Sequence, residues 1–118
     1  MATRARINLP SGNTGTALVR WESLAEGDVG DVIAFSLHRR ASVQVEGTFG
    51  AGGSLVLEGS NDSGDNWQPL SDVQGTVLTF TAVRLKQVTD VSALVRPRVT
   101  GGDGSTSLTV SVCMCEAA

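Results

Sequence analysis

Few residues in this chain carry types and spacings suited to chemistry. His38 is the single histidine, and no serine, cysteine or aspartate stands at motif spacing from it. It therefore builds neither a nucleophilic triad nor a histidine-based metal site by itself, and a surface or interface role is expected. Cys113-Met114-Cys115 sets two thiols on one strand face, a spacing that does not reach disulfide geometry within a regular strand. A structural zinc would need two more ligands. Asn61, Asp62, Asp65 and Asn66 offer oxygen ligands of the kind that calcium takes, but off the EF-hand spacing; they are also ordinary turn residues. Gly101-Gly102-Asp103-Gly104 lacks the Lys-Ser or Lys-Thr of a phosphate loop and reads as a turn. Glu22, Glu26, Asp28 and Asp31 cluster in one loop, where solvent or arginines of a partner would meet them. No nucleophile–base pair or paired-carboxylate arrangement stands out, so the expectation is no enzyme, no metal and no cofactor.

The elements that would position these residues are strands. Gly53 to Leu70 (GSLVLEGSNDSGDNWQPL) is the clearest unit, a strand, a tight turn and a returning strand. Leu55 and Leu57 share one face by the period of two, and Trp67 and Leu70 are expected to return to the core. The same alternation aligns Ala17, Val19 and Trp21, then Val43 with Val45, then Leu108, Val110 and Val112. Val32 to Leu37 is a continuous apolar strand; Val77 to Ala82 sets Leu78 and Phe80 in phase. Val83 to Val88 alternates, with Val83 and Leu85 opposed to Arg84 and Lys86. Val95, Pro97 and Val99 share a face opposite Arg96 and Arg98, and Pro97 predicts an edge strand or a bulge because it donates no ladder bond. About eight strands with turns every 8 to 12 residues predict a single-domain antiparallel β-sandwich, jelly-roll-like, over residues 16–118. Residues 1–15, polar and Gly-rich, read as an extended N-terminal arm.

Composition narrows the partners. The chain has 118 residues, a net charge of −3 and an aromatic content of 4%. A mildly acidic domain lacks the basic face that nucleic acid requires. No apolar run approaches 18 residues, and no apolar stretch follows Arg4 and Arg6 as in a secretory signal. Two cysteines make no disulfide framework, consistent with synthesis in a reducing cytoplasm. Eight of the nine basic residues are arginine, whose planar fork suits interfaces.

The segment LEGSNDSGDNWQPLSD, then VLTFTA, then VRPRVTGGDGSTSLTVSV resembles the small β proteins that decorate the heads of tailed bacteriophages. The match covers roughly residues 40 to 113 and is carried by Gly59 to Trp67 and Arg96 to Val110. This resemblance implies a capsid decoration or cement protein on the virion exterior, made in the host bacterial cytoplasm. It would bind the major capsid protein and a second or third copy of itself, without contacting nucleic acid or membrane. The candidate contacts are Arg4 and Arg6 on the arm, Trp21, the Arg39-Arg40 turn, and Arg96 with Arg98. The EGSNDSGDNWQPL segment is also similar to a strand-turn-strand of discoidin-type carbohydrate-binding sandwiches. That implies an alternative, a sugar-binding module with Trp67 or Trp21 exposed beside polar groups.

Overall fold

The computed structural model describes residues 3–9, 16–34, 40–72, 74–88 and 92–115. Among them are twelve strands and no helix: β1 (Thr3–Arg4), β2 (Ile7–Leu9), β3 (Thr16–Leu24), β4 (Val29–Gly30), β5 (Ile33–Ala34), β6 (Arg40–Thr48), β7 (Ser54–Ser60), β8 (Gln68–Pro69), β9 (Thr79–Phe80), β10 (Arg84–Val88), β11 (Leu94–Gly101) and β12 (Ser107–Cys115). They form two sheets. One runs β1-β4-β11-β7-β8, with β5 also on β11 and β9 also on β7; the other runs β10-β6-β12-β3-β2. All pairings between the strands are antiparallel except β1 with β4. The sandwich anticipated from strand spacing is what forms.

Its core follows from the period of two. Val43, Val45, Val110, Val112, Val19 and Trp21 line the inner face of the second sheet. Leu55, Leu57, Val95, Val99 and Phe80 meet them from the first. With so few aromatics, β-branched and leucine side chains supply most of the apolar burial, each fully buried one worth about 1.5–3 kcal/mol.

Three features depart from the sequence reading. β11 is not an edge strand: it lies between β7 on one side and β4 and β5 on the other, although it does carry the other expected feature, a bulge-like register shift against β7 between Val99 and Gly101. Pro97 is tolerated there because of direction. Its neighbour across the ladder, Leu57, turns its own N–H to Leu78 O and its O to Leu70 N, away from β11. Pro97 thus directs its backbone the opposite way, toward the break between β4 and β5 where no donor is needed. Gly30 lets the ring approach, since a Cβ there would lie 2.7 Å from Pro97 Cδ and 2.7 Å from Trp21 Cδ1.

The second departure is the phase of β10. Lys86 pairs with the core residue Val43, so it points inward, while Leu85 pairs with Gln44 and is 60% exposed. Lys86 Nζ lies 5.7 Å from the Phe80 ring centroid and 3.8 Å from Asp72 Oδ2. An inward charge on an edge strand discourages further strand addition.

The third is the N-terminal segment. Residues 3–9 do not project as an arm: β1 pairs with β4 and β2 with β3, so the segment passes from one sheet to the other. The expected strand Val32 to Leu37 is seen only as Ile33–Ala34; residues 35–39, including His38 and Arg39, lie outside the described residues. Because Gly30 sits where any Cβ would press on both Pro97 and Trp21, Gly30→Ala should destabilise the fold by about 1–3 kcal/mol. Urea denaturation of the two proteins would measure it, and an unchanged midpoint would contradict the packing described.

Candidate functional site

The residues that make an outward-facing site lie on β7 and β11 of the first sheet. Arg96 stands directly across from Glu58, and Arg98 lies two residues along on the same face. Glu58 is only 4% exposed. Arg96 Nε donates to its Oε1 at 3.2 Å and Arg98 Nε to its Oε2 at 2.9 Å. One nearly buried carboxylate thus holds two guanidinium groups, and charge-assisted bonds at both oxygens offset its desolvation. Each arginine engages Glu58 through Nε, and its terminal nitrogens make no hydrogen bond among the described residues. The guanidinium of Arg96 also stacks on Trp67, 4.2 Å from the ring centroid. Trp67, expected in the core, is half-buried on the outside of the sheet. The stems of Arg96 and Arg98 and the indole form a flat, cationic, partly aromatic surface.

The loop that delivers Trp67 is self-organised. Asp62 Oδ1 accepts from Ser60 Oγ at 2.7 Å and from the Asn66 backbone N–H at 3.0 Å. Asp62 Oδ2 accepts from Asn66 Nδ2 at 2.8 Å. Bonds from Asn66's backbone N–H, then its side-chain amide and the Ser60 hydroxyl, hold the Asp62 carboxyl down at about 2. Ser63 and Gly64 take positive φ, 63° and 87°, which closes the turn. Asn61 Oδ1 accepts from Ala93 N–H at 2.7 Å and pins the loop to the strand entering Arg96. These oxygens serve the loop itself. Among the described residues no three His, Cys, Asp or Glu side chains converge as a metal site would require. An open groove of about 420 Å³ lies alongside, between Asn61, Asn66, Gln68 and Ser92.

The other candidate residues are placed differently. Arg4 Nε contacts Asp28 Oδ2 at 2.9 Å, and Arg6 contacts Asp31 through its backbone N–H at 2.9 Å and Nη1 at 3.1 Å. The acidic loop is therefore met by arginines of its own chain rather than a partner's. Trp21 is 0% exposed, so it belongs to the inner row with Val19, as the alternation indicates, and is not an interface anchor; its Nε1 donates to Asp31 Oδ1 at 2.9 Å. Arg39 lies outside the described residues. Arg40 is exposed at the start of β6, on the opposite sheet from Arg96 and Arg98. Cys113 and Cys115 are half-exposed free thiols on the outer face of β12, and burial with the neighbouring Cys115 pushes the Cys113 thiol up. Glu58 was not singled out from the sequence, where its signal was a lone acid at an outward position of β7, opposite two outward arginines; Trp67 was expected in the core, and exposed only under the sugar-binding alternative.

No protein-family model and no curated protein sequence matches the chain. Solved structures do match its fold. The crystal structure of the SPBc2 prophage-derived protein YomS is similar at TM-score 0.64 and 12% identity, over 86% of this chain and 96% of that one. Oxalate oxidase is similar at TM-score 0.51 and 19% identity; 94% of this chain is covered, and it spans 50% of the oxidase chain. Oxalate oxidase bound to the substrate analogue glycolate gives TM-score 0.50 at 18% identity, again over 50% of that chain. At such identities the likeness is one of fold: a two-sheet, jelly-roll-like β-sandwich.

The oxidase likeness corrects one expectation. A non-enzymatic role was inferred from missing constellations, yet the chain shares its architecture with an enzyme, so that inference does not stand.

The depressed Asp62 carboxyl has a pH consequence. Its contribution is full above the ordinary 3.8 and is lost as pH falls through about 2. An NMR titration should give Asp62 a midpoint near 2, with the Asn66 amide shifting in step. A midpoint near 3.8 would show that these bonds are absent in solution.

Proposed function

We propose that the chain is a decoration protein of a tailed-phage virion, binding the outer surface of the head and bridging neighbouring major capsid subunits. The observation that carries this reading is the Arg96–Glu58–Arg98 ladder with Trp67 on the first sheet. Two arginines two residues apart on a strand leave the backbone about 7 Å apart and on one face, and Glu58 between them draws both guanidinium groups into one cluster. An acidic strand or loop of a capsid subunit can offer carboxylates to that cluster. Glu58 and Trp67 already restrict both side chains, so docking loses little rotamer freedom. Repetition over a lattice multiplies modest single contacts. The prophage origin of YomS, matched over nearly its whole length, supports a phage setting.

A carbohydrate-binding role on the virion surface or tail is the second reading. The half-exposed Trp67 beside the polar groove of Asn61, Asn66 and Gln68 favours it. Arg96 stacked on one face of the indole weighs against it, because a sugar would need that kind of platform.

Co-sedimentation with phage heads lacking the protein tests both. Binding should saturate at a fixed number of copies per capsid subunit. Removing both arginines would strand a buried carboxylate at a cost of about 3–5 kcal/mol, so R96K/R98K is the better variant. It keeps the charge and loses the planar fork, and head affinity should fall about tenfold or more while the fold persists. No binding by the unaltered chain, with capture on a glycan array, would transfer the assignment to the sugar-binding reading.

A further inference from the structure

We infer that the outer face of the second sheet is a two-fold self-association surface, on which a second copy of this chain packs β6 over β6. This inference stands independently of the head-binding reading and uses the opposite face of the sandwich.

The outward row of β6 reads Arg40, Ser42, Gln44, Glu46. Its charges sit at the two ends, with opposite sign, and its middle is uncharged. Arg40 and Glu46 are both exposed, and neither has an ion-pair partner among the described residues. The one other cation on this face among the described residues, Arg20, is already met by Glu22 at 3.7 Å and by Ser111 Oγ at 3.2 Å. The neighbouring strand β12 turns only small uncharged side chains outward, ending in Cys113 and Cys115. On the other flank β10 sends Leu85 onto the same face, 60% exposed, although a one-residue slip would have buried it. A wide and largely uncharged surface, with Leu85 at one flank and the exposed Ile7 at the other and a shallow groove of about 330 Å³ between Arg40, Ser42, Leu85 and Cys113, is left without an occupant.

Charge selects that occupant. A half-turn about an axis lying in the face, perpendicular to β6 at the level of Val43, stacks each strand on its own counterpart running the opposite way. Arg40 of each copy then lies over Glu46 of the other, twice, and Leu85 lies over Gln87. The other half-turn, about an axis parallel to β6, sets Arg40 level with Arg40 and Glu46 level with Glu46. Only the first arrangement is self-complementary. Five strands at their usual spacing and six residue steps give about 24 Å by 20 Å, roughly 480 Å² of flat area per copy. That is the weak end of specific interfaces, so a dimer in the micromolar range is expected.

Sedimentation velocity of the full chain, from low micromolar to millimolar concentration, should show a monomer–dimer equilibrium. R40E and E46R should each weaken the dimer by about tenfold or more, because each places like charges together twice. The double variant R40E/E46R should restore it, since the reversed charges face one another again. Both positions are exposed, and circular dichroism would verify that each variant is folded. A monomer at every concentration, a trimer, single variants without effect, or a double variant no tighter than the singles would each overturn the inference.

Discussion

A buried indole must find an acceptor for its N–H, and the way Trp21 does so organises much of this molecule. Trp21 belongs to the second sheet, and its Nε1 reaches Asp31, which directly follows β4 of the first. The same carboxylate takes the backbone N–H and the guanidinium of Arg6, which brings the N-terminal segment across the open side of the sandwich. Gly30, one residue earlier, lets Pro97 and the indole come within contact of the β4 backbone. One acid thus joins the two sheets, the N-terminal strands and the central proline. An unmet N–H at that depth would cost about 1–3 kcal/mol, which gives this joint a strong hold on the local geometry.

The outer faces of the two sheets differ in chemistry. On the first, Glu58 sits under two arginines that shield it from water, and a hydrogen-bonded loop holds Trp67 against one of them. That face is charged, and its side chains are held in place by one another. On the second, small polar residues and an outward leucine leave a smooth field bounded by one positive and one negative group.

The fold by itself is neutral about activity. A prophage-derived protein and an oxalate oxidase share the sandwich at low identity, so function has to be argued from the side chains on its faces.

Local pattern was enough to read the class of fold and most of its core. Period-two alternation grouped Val19, Val43, Val45, Leu55, Leu57, Val95, Val99, Val110 and Val112 each on the apolar face of its strand, and all are buried. Alternation is a property of one strand, so it is legible one strand at a time. What the chain alone did not disclose is pairing. Register with β6 turned Lys86 inward and Leu85 outward; the partners around β11 made a central strand of one that contains proline. Distance in sequence hid the contacts of Arg4 and Arg6 with the acidic loop and of Arg96 and Arg98 with Glu58. Trp67 lies outside the sheet because its loop closes on Asp62 and stacks the ring on Arg96. The amino-acid order determined which faces of each strand are apolar, since that depends on neighbours two residues away. Only the tertiary structure decided which charges meet and which faces stay open, because those depend on strands brought together from opposite ends of the chain.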